Sequence, residues 1–186
     1  MGRVSQAQAQ ENRKRIVETA ARLFRERGVA GVSVADVMTE VGLTHGGFYK
    51  QFASKEALVA EAVGQAFAES RDLLAGLDRD SFVEWYLTPE HRDDPGAGCP
   101  AAGFSGDMAR EDEGNAALTA YASGVGLYAQ RMGEDLAAVS TLVGAMVLAR
   151  ATAGTELSDR ILEAAKAALT AGGSSPREAP GPARAG

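Results

Sequence analysis

The chain has 186 residues, 45% hydrophobic, 24% charged and 6% aromatic, with a formal net charge of −6 and one cysteine. That length and apolar share can bury a core and exclude wholesale disorder, and a single thiol excludes an internal disulfide framework. Taken whole, the negative charge disfavours nucleic acid as a partner, yet it is divided: residues 1–56 hold nine Lys/Arg against six Asp/Glu, and residues 57–186 hold ten against nineteen. A net +3 followed by a net −9 fits a nucleic-acid or membrane-surface module on an acidic body, or ordinary scatter of surface charge.

Helical spacing dominates from the start. Arg13, Lys14 and Arg15 form a basic cluster, either a DNA-backbone contact or a solvated helix start. Ile16, Val17, Ala20, Leu23 and Phe24 follow helical periodicity, and Gly28 stands where a C-terminal cap glycine belongs. Ser33 and Asp36 make a capping-box-like start for a second helix, with Val34, Val37, Met38 and Val41 as its buried stripe and Gly42 as its end. Thr44 can cap a short third helix through about Phe52, and Ser54 a fourth through about Leu74. Asp80 or Ser81 begins a short helix containing Phe82, Trp85 and Tyr86. The stretch from Thr88 to Pro100 is broken by prolines and glycines and reads as a loop, with Pro100 in the first turn of the next helix. Further helices are expected over 101–110, 115–132, 134–153 and 156–170. Residues 172–186, rich in Gly, Pro, Ser and Ala, read as a flexible tail. No alternating apolar run suggests a strand, so the expected fold is all-α with about nine helices. The longest uncharged apolar runs, 116–130 and 136–149, fall short of the roughly 18 residues of a membrane span. The opening residues carry no apolar leader, which makes a cytoplasmic location the expectation.

Two short helices flanking the turn Val41-Gly42-Leu43-Thr44 make a helix-turn-helix, whose second helix enters the DNA major groove. Phe48 and Phe52 would face the core, leaving Thr44, His45, Gly47, Tyr49, Lys50 and Gln51 on the other faces, able to donate and accept hydrogen bonds. Gly46 and Gly47 each cost a helix about 1 kcal/mol relative to Ala, and close approach of backbone to DNA is a reason to keep them. Lys55, in the first turn after Ser54, opposes the helix dipole unless a phosphate sits there.

The run Gly42-Leu-Thr-His-Gly-Gly-Phe-Tyr-Lys-Gln-Phe-Ala-Ser-Lys-Glu-Ala-Leu58 resembles the signature of the TetR family of bacterial transcriptional regulators. Residues 16–24 and 28–34 are similar to that family's first helix and following turn. The resemblance implies a DNA-binding domain over 10–54, a helical ligand-binding and dimerisation domain over 55–171, and the tail over 172–186. It further implies a homodimeric repressor bound to a palindromic operator in double-stranded DNA and released by a small-molecule effector. Base reading would map onto His45, Gly46, Gly47, Tyr49, Lys50 and Gln51, and phosphate contacts onto Ser33, Thr44, Tyr49 and Lys55. Tyr49 could instead be a packing aromatic, His45 a helix-capping surface residue, and Lys50 a solvated or phosphate-bound lysine. Effector entry would shift the fourth helix until the two recognition helices no longer match successive major grooves.

In the body, Leu136, Val139, Val143, Met146 and Val147 form one apolar stripe, and Leu157, Ile161 and Leu162 belong to another. An intramolecular core would explain both; the family resemblance makes them a four-helix dimer interface instead. The resemblance also places an effector pocket among the middle helices, lined by Phe67, Trp85, Tyr86, Cys99, Phe104, Met108, Tyr121, Val125 and Tyr128. Cys99 precedes Pro100 at a helix start, where a thiol gains thiolate character. It is either a sensor of oxidants or electrophiles, as in some members of the family, or a small packed hydrophobe. His91, Asp93, Asp94 and Cys99 share one loop and could suggest thiol catalysis. Without a nucleophile elbow, a second thiol or more than two histidines, neither an enzyme nor a metal or cofactor site is expected. An effector-free DNA-binding protein is the remaining alternative.

Overall fold

Residues 6–171 are described by a computed structural model; among them are ten α-helices and no strand. They are α1 (Gln6–Arg27), α2 (Val34–Glu40), α3 (His45–Phe48), α4 (Lys55–Leu73), α5 (Arg79–Tyr86), α6 (Pro89–Asp93), α7 (Pro100–Met108), α8 (Ala116–Arg131), α9 (Leu136–Ala151) and α10 (Glu156–Ala171). The expected tail, 172–186, lies outside the described residues.

The caps account for most of the boundaries. Ser33 and Asp36 form a reciprocal capping box on α2: the Asp36 N–H donates to the Ser33 hydroxyl, and the Ser33 N–H donates to the Asp36 carboxylate at 2.8 Å. Gly28 and Gly42 end α1 and α2 at φ values of 74° and 70°, a left-handed backbone that only glycine adopts without strain. α5 starts one turn position earlier than Asp80, because the Asp78 carboxylate accepts from the Ser81 N–H at 2.8 Å.

Two expectations need correction. The Thr88–Pro100 stretch is not loop throughout: Thr88 caps α6 by accepting from the His91 N–H, and Pro89, lacking an N–H, occupies the first turn at no cost. The third helix ends at Phe48 rather than Phe52, and residues 49–51 continue as turns with the Gln51 and Phe52 N–H groups both donating to the Phe48 carbonyl.

One continuous cluster of buried side chains runs through the molecule. Leu23, Phe24, Val37, Phe48, Phe52 and Leu58 pack the first helices onto α4, and α4 lies against both α1 and α8. Phe82, Tyr86, Phe104 and Met146 continue the core beneath α9, which pairs with α10. α4 is therefore the beam shared by the helix-turn-helix and the rest of the chain.

The stripes on α9 and α10 divide. Val139, Met146 and Leu162 are buried within the protomer, so their assignment to a dimer interface is corrected: they face the chain's own core. Leu136, Val147, Leu148 and Leu157 are exposed, and Val143 and Ile161 half-buried, which leaves an uncovered apolar face on these two helices. Among the described residues no single helix is long and apolar enough to cross a membrane.

Candidate nucleic-acid interface and effector cleft

The helix-turn-helix is anchored by its aromatic residues. Phe48 and Phe52 stack with centroids 5.3 Å apart and are buried, whereas Tyr49, 64% exposed, stands edge-on to both Phe48 and His45. Thr44, His45, Gly46 and Lys50 are exposed and Gln51 half-buried, so a polar set surrounds one outward aromatic. The Thr44 hydroxyl makes no cap bond. Gly46 has open space where a Cβ would stand, and Gly47 would make only ordinary contacts at 3.6–3.7 Å. Neither glycine is required by close packing within the described residues.

The basic residues of α1 have a different role from a DNA contact alone. Arg13 donates to the Gln51 carbonyl, pairs with Glu61 and lies over the Phe52 ring at 4.2 Å. Arg15 donates to the Val41 carbonyl at 2.8 Å, and Lys14 pairs loosely with Glu18 at 3.7 Å. Arg13 and Arg15 thus tie the ends of α3 and α2 to α1 and fix the recognition turn from behind. Lys55, half-buried, donates to the Val29 carbonyl at 2.6 Å, so its ammonium already has an anchor in the α1–α2 turn. The Val29 N–H on the other side of that residue donates to both carboxylate oxygens of Asp107 on α7, each at 3.2 Å.

A cleft of about 570 Å³ opens where α1 and α4 meet the segment from α5 to α7. Of the residues expected from the sequence to form a pocket, Trp85, Cys99 and Tyr128 line this cleft. Phe67, Tyr86, Phe104 and Met108 do not: they are buried core, since an aromatic residue at helical spacing packs inward when its helix is covered on that side. Tyr121 and Val125 are half-buried on α8, and the Tyr121 hydroxyl is spent on the Ala101 carbonyl at 2.7 Å. Sequence reasoning missed the α1 wall, Glu18, Thr19, Arg22 and Arg25, and the α4 wall, Glu69, Ser70 and Leu73. Their charged, regularly spaced pattern reads as an ordinary solvated face.

The inner end of the cleft is a hydrogen-bonded frame. The Cys99 N–H donates to Nε2 of His91 at 2.9 Å, so Nδ1 carries the proton and donates to the Tyr86 carbonyl at 2.7 Å. That tautomer is neutral, in keeping with burial pushing His91 down from 6.5 to about 4, aided by the Arg150 charge. The Cys99 Sγ accepts from the Ala102 N–H at 3.4 Å, capping α7, and lies 3.6 Å from the Tyr128 hydroxyl, which also bonds Ser70 at 2.8 Å. The Tyr86 hydroxyl is buried without a hydrogen-bond partner, and burial pushes its pKa up, with the Cys99 sulfur as the next cause. A Cβ on Gly98 would strike the Arg150 guanidinium and the Asp94 carbonyl, so glycine is needed for this close approach. Arg150 in turn donates to the His91 and Arg92 carbonyls at 3.0 and 3.1 Å. Among the described residues no group of three or more His, Cys, Asp or Glu could hold a metal ion.

Comparison with known proteins matches this geometry. The family described as bacterial regulatory proteins, tetR family, matches residues 16–62. The HTH-type transcriptional regulator TtgR of Pseudomonas putida is 40% identical over 75 residues, covering 40% of this chain and 35% of that protein. Across the strongest such matches the chain spans about a quarter to a third of the relatives' own length. The uncharacterized HTH-type transcriptional regulator MT0206 of Mycobacterium tuberculosis is 33% identical over 162 residues, covering 74% of this chain and 84% of that protein. A TetR transcriptional regulator from Chloroflexus aurantiacus shares the fold with a TM-score of 0.68 and 23% identity, over 89% of this chain and 95% of that one. With its helix-turn-helix, its all-helical body and a relative matched over most of both chains, this chain belongs to the TetR family of bacterial transcriptional regulators.

Proposed function

We propose that the chain is a homodimeric repressor that holds palindromic operator DNA through α2 and α3 and releases it when a small molecule enters the cleft. DNA-binding transcriptional regulation is common to its relatives; the ligand response, the dimer and the residue roles are our reading. The observation that carries it is the polar, exposed set around Tyr49, braced by Arg13 and Arg15 and presented by two glycines the fold does not need. On this reading residues 10–54 form the DNA-binding head and 55–171 the effector-binding and dimerisation body. His45, Gly46, Gly47, Tyr49, Lys50 and Gln51 face bases, with Ser33, Thr44, Tyr49 and Lys55 near phosphates. The dimer uses Leu136, Val143, Val147, Leu148, Leu157 and Ile161, whose uncovered face suits a second copy and whose two-fold would match a palindrome. Glu18 and Arg25 of the head line the cleft beside Glu69 and Trp85 of the body, so an occupant there touches both.

The test is selection of genomic fragments by the purified protein, followed by a salt titration on a retained fragment. A palindromic site whose log affinity falls steeply with log salt is the expected result. Failure to retain any palindrome would overturn the reading.

One observation favours a second reading, in which Cys99 senses oxidants or electrophiles. Its sulfur caps α7 near the unpartnered Tyr86 hydroxyl, at the inner end of the cleft. Under this reading oxidised or alkylated protein loses operator affinity and the Cys99→Ser variant does not respond. Unchanged affinity after complete modification would remove it.

A further inference from the structure

The cleft has a chemistry of its own. Glu18, Glu69 and Asp94 line it against two guanidiniums, Arg22 and Arg25, and both of these are already engaged. Arg22 is held by Glu26 at 3.0 Å and Glu40 at 2.7 Å. Arg25, its side chain 4% exposed, donates to the Ala21 carbonyl at 3.0 Å, the Gly98 carbonyl at 3.4 Å and Glu69 at 3.3 Å. His91 is fixed as a neutral ring by the Cys99 N–H on one nitrogen and the Tyr86 carbonyl on the other. Each guanidinium of the cleft thus already has a carboxylate partner, whereas the Asp94 carboxylate is exposed and Glu18 has only the loose Lys14 pair.

The wall between these charges is apolar and aromatic. Leu73 is 61% exposed, an unusual state for leucine beside a cavity, and Trp85 lies half-buried with its ring stacked on His91 at 4.6 Å. Both residues also line an adjoining cleft of about 390 Å³, to which Glu90 adds another carboxylate. An indole face next to carboxylates, in a partly desolvated groove, attracts a cation that also carries apolar surface.

Resting on the reading of this cleft as the effector site, we infer that its ligand class is an organic monocation with an aromatic or apolar body, its charge toward Glu18 and Asp94 and its body on Leu73 and Trp85. A simple metal ion would gain nothing from the apolar wall, and an aromatic carboxylate would meet the acidic side chains without a free guanidinium.

Trp85 is the only tryptophan in the chain, so its emission reports the site directly. The experiment titrates the full chain with tetraphenylphosphonium and with tetraphenylborate, ions of nearly the same shape and opposite charge. The expected result is saturable quenching by the phosphonium, with an affinity at least about tenfold above that of the borate. The double variant Glu18→Gln and Asp94→Asn, in which Asn keeps the acceptor for the Ala97 N–H, should weaken phosphonium binding about tenfold. Preferential binding of the borate would overturn the ligand class while leaving the cleft as an effector site. Charge-dependent phosphonium binding that leaves operator affinity unchanged would uphold the class and remove the effector role. No quenching by either ion, or phosphonium binding indifferent to the double variant, would overturn the inference.

Discussion

Two glycines on α8 should respond to the same substitution with opposite signs. A Cβ added to Gly124 would stand more than about 1 Å inside van der Waals distance of three Phe67 ring carbons, whereas one on Gly126 would meet nothing within 4 Å. Phe67 cannot simply step aside: it is buried and set edge-on to Tyr121 and Tyr128 at 5.8 and 5.9 Å. Overpacking of this severity costs about 3 kcal/mol, the upper end of its usual range. Both substitutions gain about 1 kcal/mol of helix propensity, which leaves Gly124→Ala about 2 kcal/mol less stable than the parent and Gly126→Ala up to about 1 kcal/mol more stable. Because the propensity gain cancels between the two, their difference of about 3 kcal/mol isolates the steric clash. For a chain of this size that corresponds to roughly 6–12 °C in melting temperature. Thermal unfolding followed by circular dichroism, at one fixed protomer concentration, measures it. Equal stability of the two variants would refute the close fit of Phe67 against α8. Since Tyr128 joins that aromatic group to the cleft floor, Gly124→Ala should also alter Trp85 emission.

Three further outcomes are expected. His91 stays neutral when buried, down to about 4, against 6.5 when free; the unfolded chain therefore binds a proton first, and stability should fall as pH drops from about 6.5 toward 4, by roughly 3 kcal/mol. Denaturant unfolding across that range checks this, and His91→Gln should remove the dependence; an unchanged slope in the variant would assign it to other groups. Lys50→Ala and Lys55→Ala should each lower the salt slope of operator binding by about 1, and Lys55→Ala should further weaken affinity through the lost Val29 bond; an unchanged slope in Lys55→Ala would remove Lys55 as a phosphate contact and leave it as a brace of the α1–α2 turn. Leu148→Glu, at a position 56% exposed in the protomer, should convert the proposed dimer to a folded monomer in sedimentation, and a persistent dimer would place the interface elsewhere.

The parts of this molecule legible in its sequence are those with local physics. The capping box at Ser33, the glycines after α1 and α2 and the Phe48–Phe52 pair are each determined by neighbours within a few residues. Thr88-Pro89 is an equally local signal, a capping hydroxyl before a first-turn proline, but the prolines and glycines after it obscured the short helix it opens. The cleft was not legible, because it is made by helices distant in sequence. Aromatic residues drew attention to Phe67, Tyr86 and Phe104, yet burial by α7, α8 and α9 consumed them, and the open wall came from Glu18, Arg22 and Arg25. On α9 the apolar positions are too numerous to reveal one face. The packing of α6, α7, α8 and α10 on α9 separates buried Val139 and Met146 from exposed Leu136 and Leu148.

The charge division has a structural counterpart in the way α7 meets the head. Arg25 of α1 donates to the Gly98 carbonyl just before Cys99 caps α7, and near the other end of α7 Asp107 accepts the Val29 N–H just after α1 ends. A nine-residue helix is a rod of about 13 Å, so α1 and the α1–α2 turn are tied to one rigid element at both its ends. The 96–99 segment forms one side of the cleft, and it is held through hydrogen bonds by His91, Asp94 and Arg25. An occupant that displaces this segment would therefore carry α7 with it and pull on Val29, whose carbonyl is held by Lys55 at the start of α4. The α1–α2 turn leads directly into the recognition elements, so this route needs no large movement of α4. It requires only that the Asp107 and Lys55 bonds to Val29 cannot both be kept when α7 moves, a geometric conflict of the kind that turns a small shift at one site into a choice between two head positions.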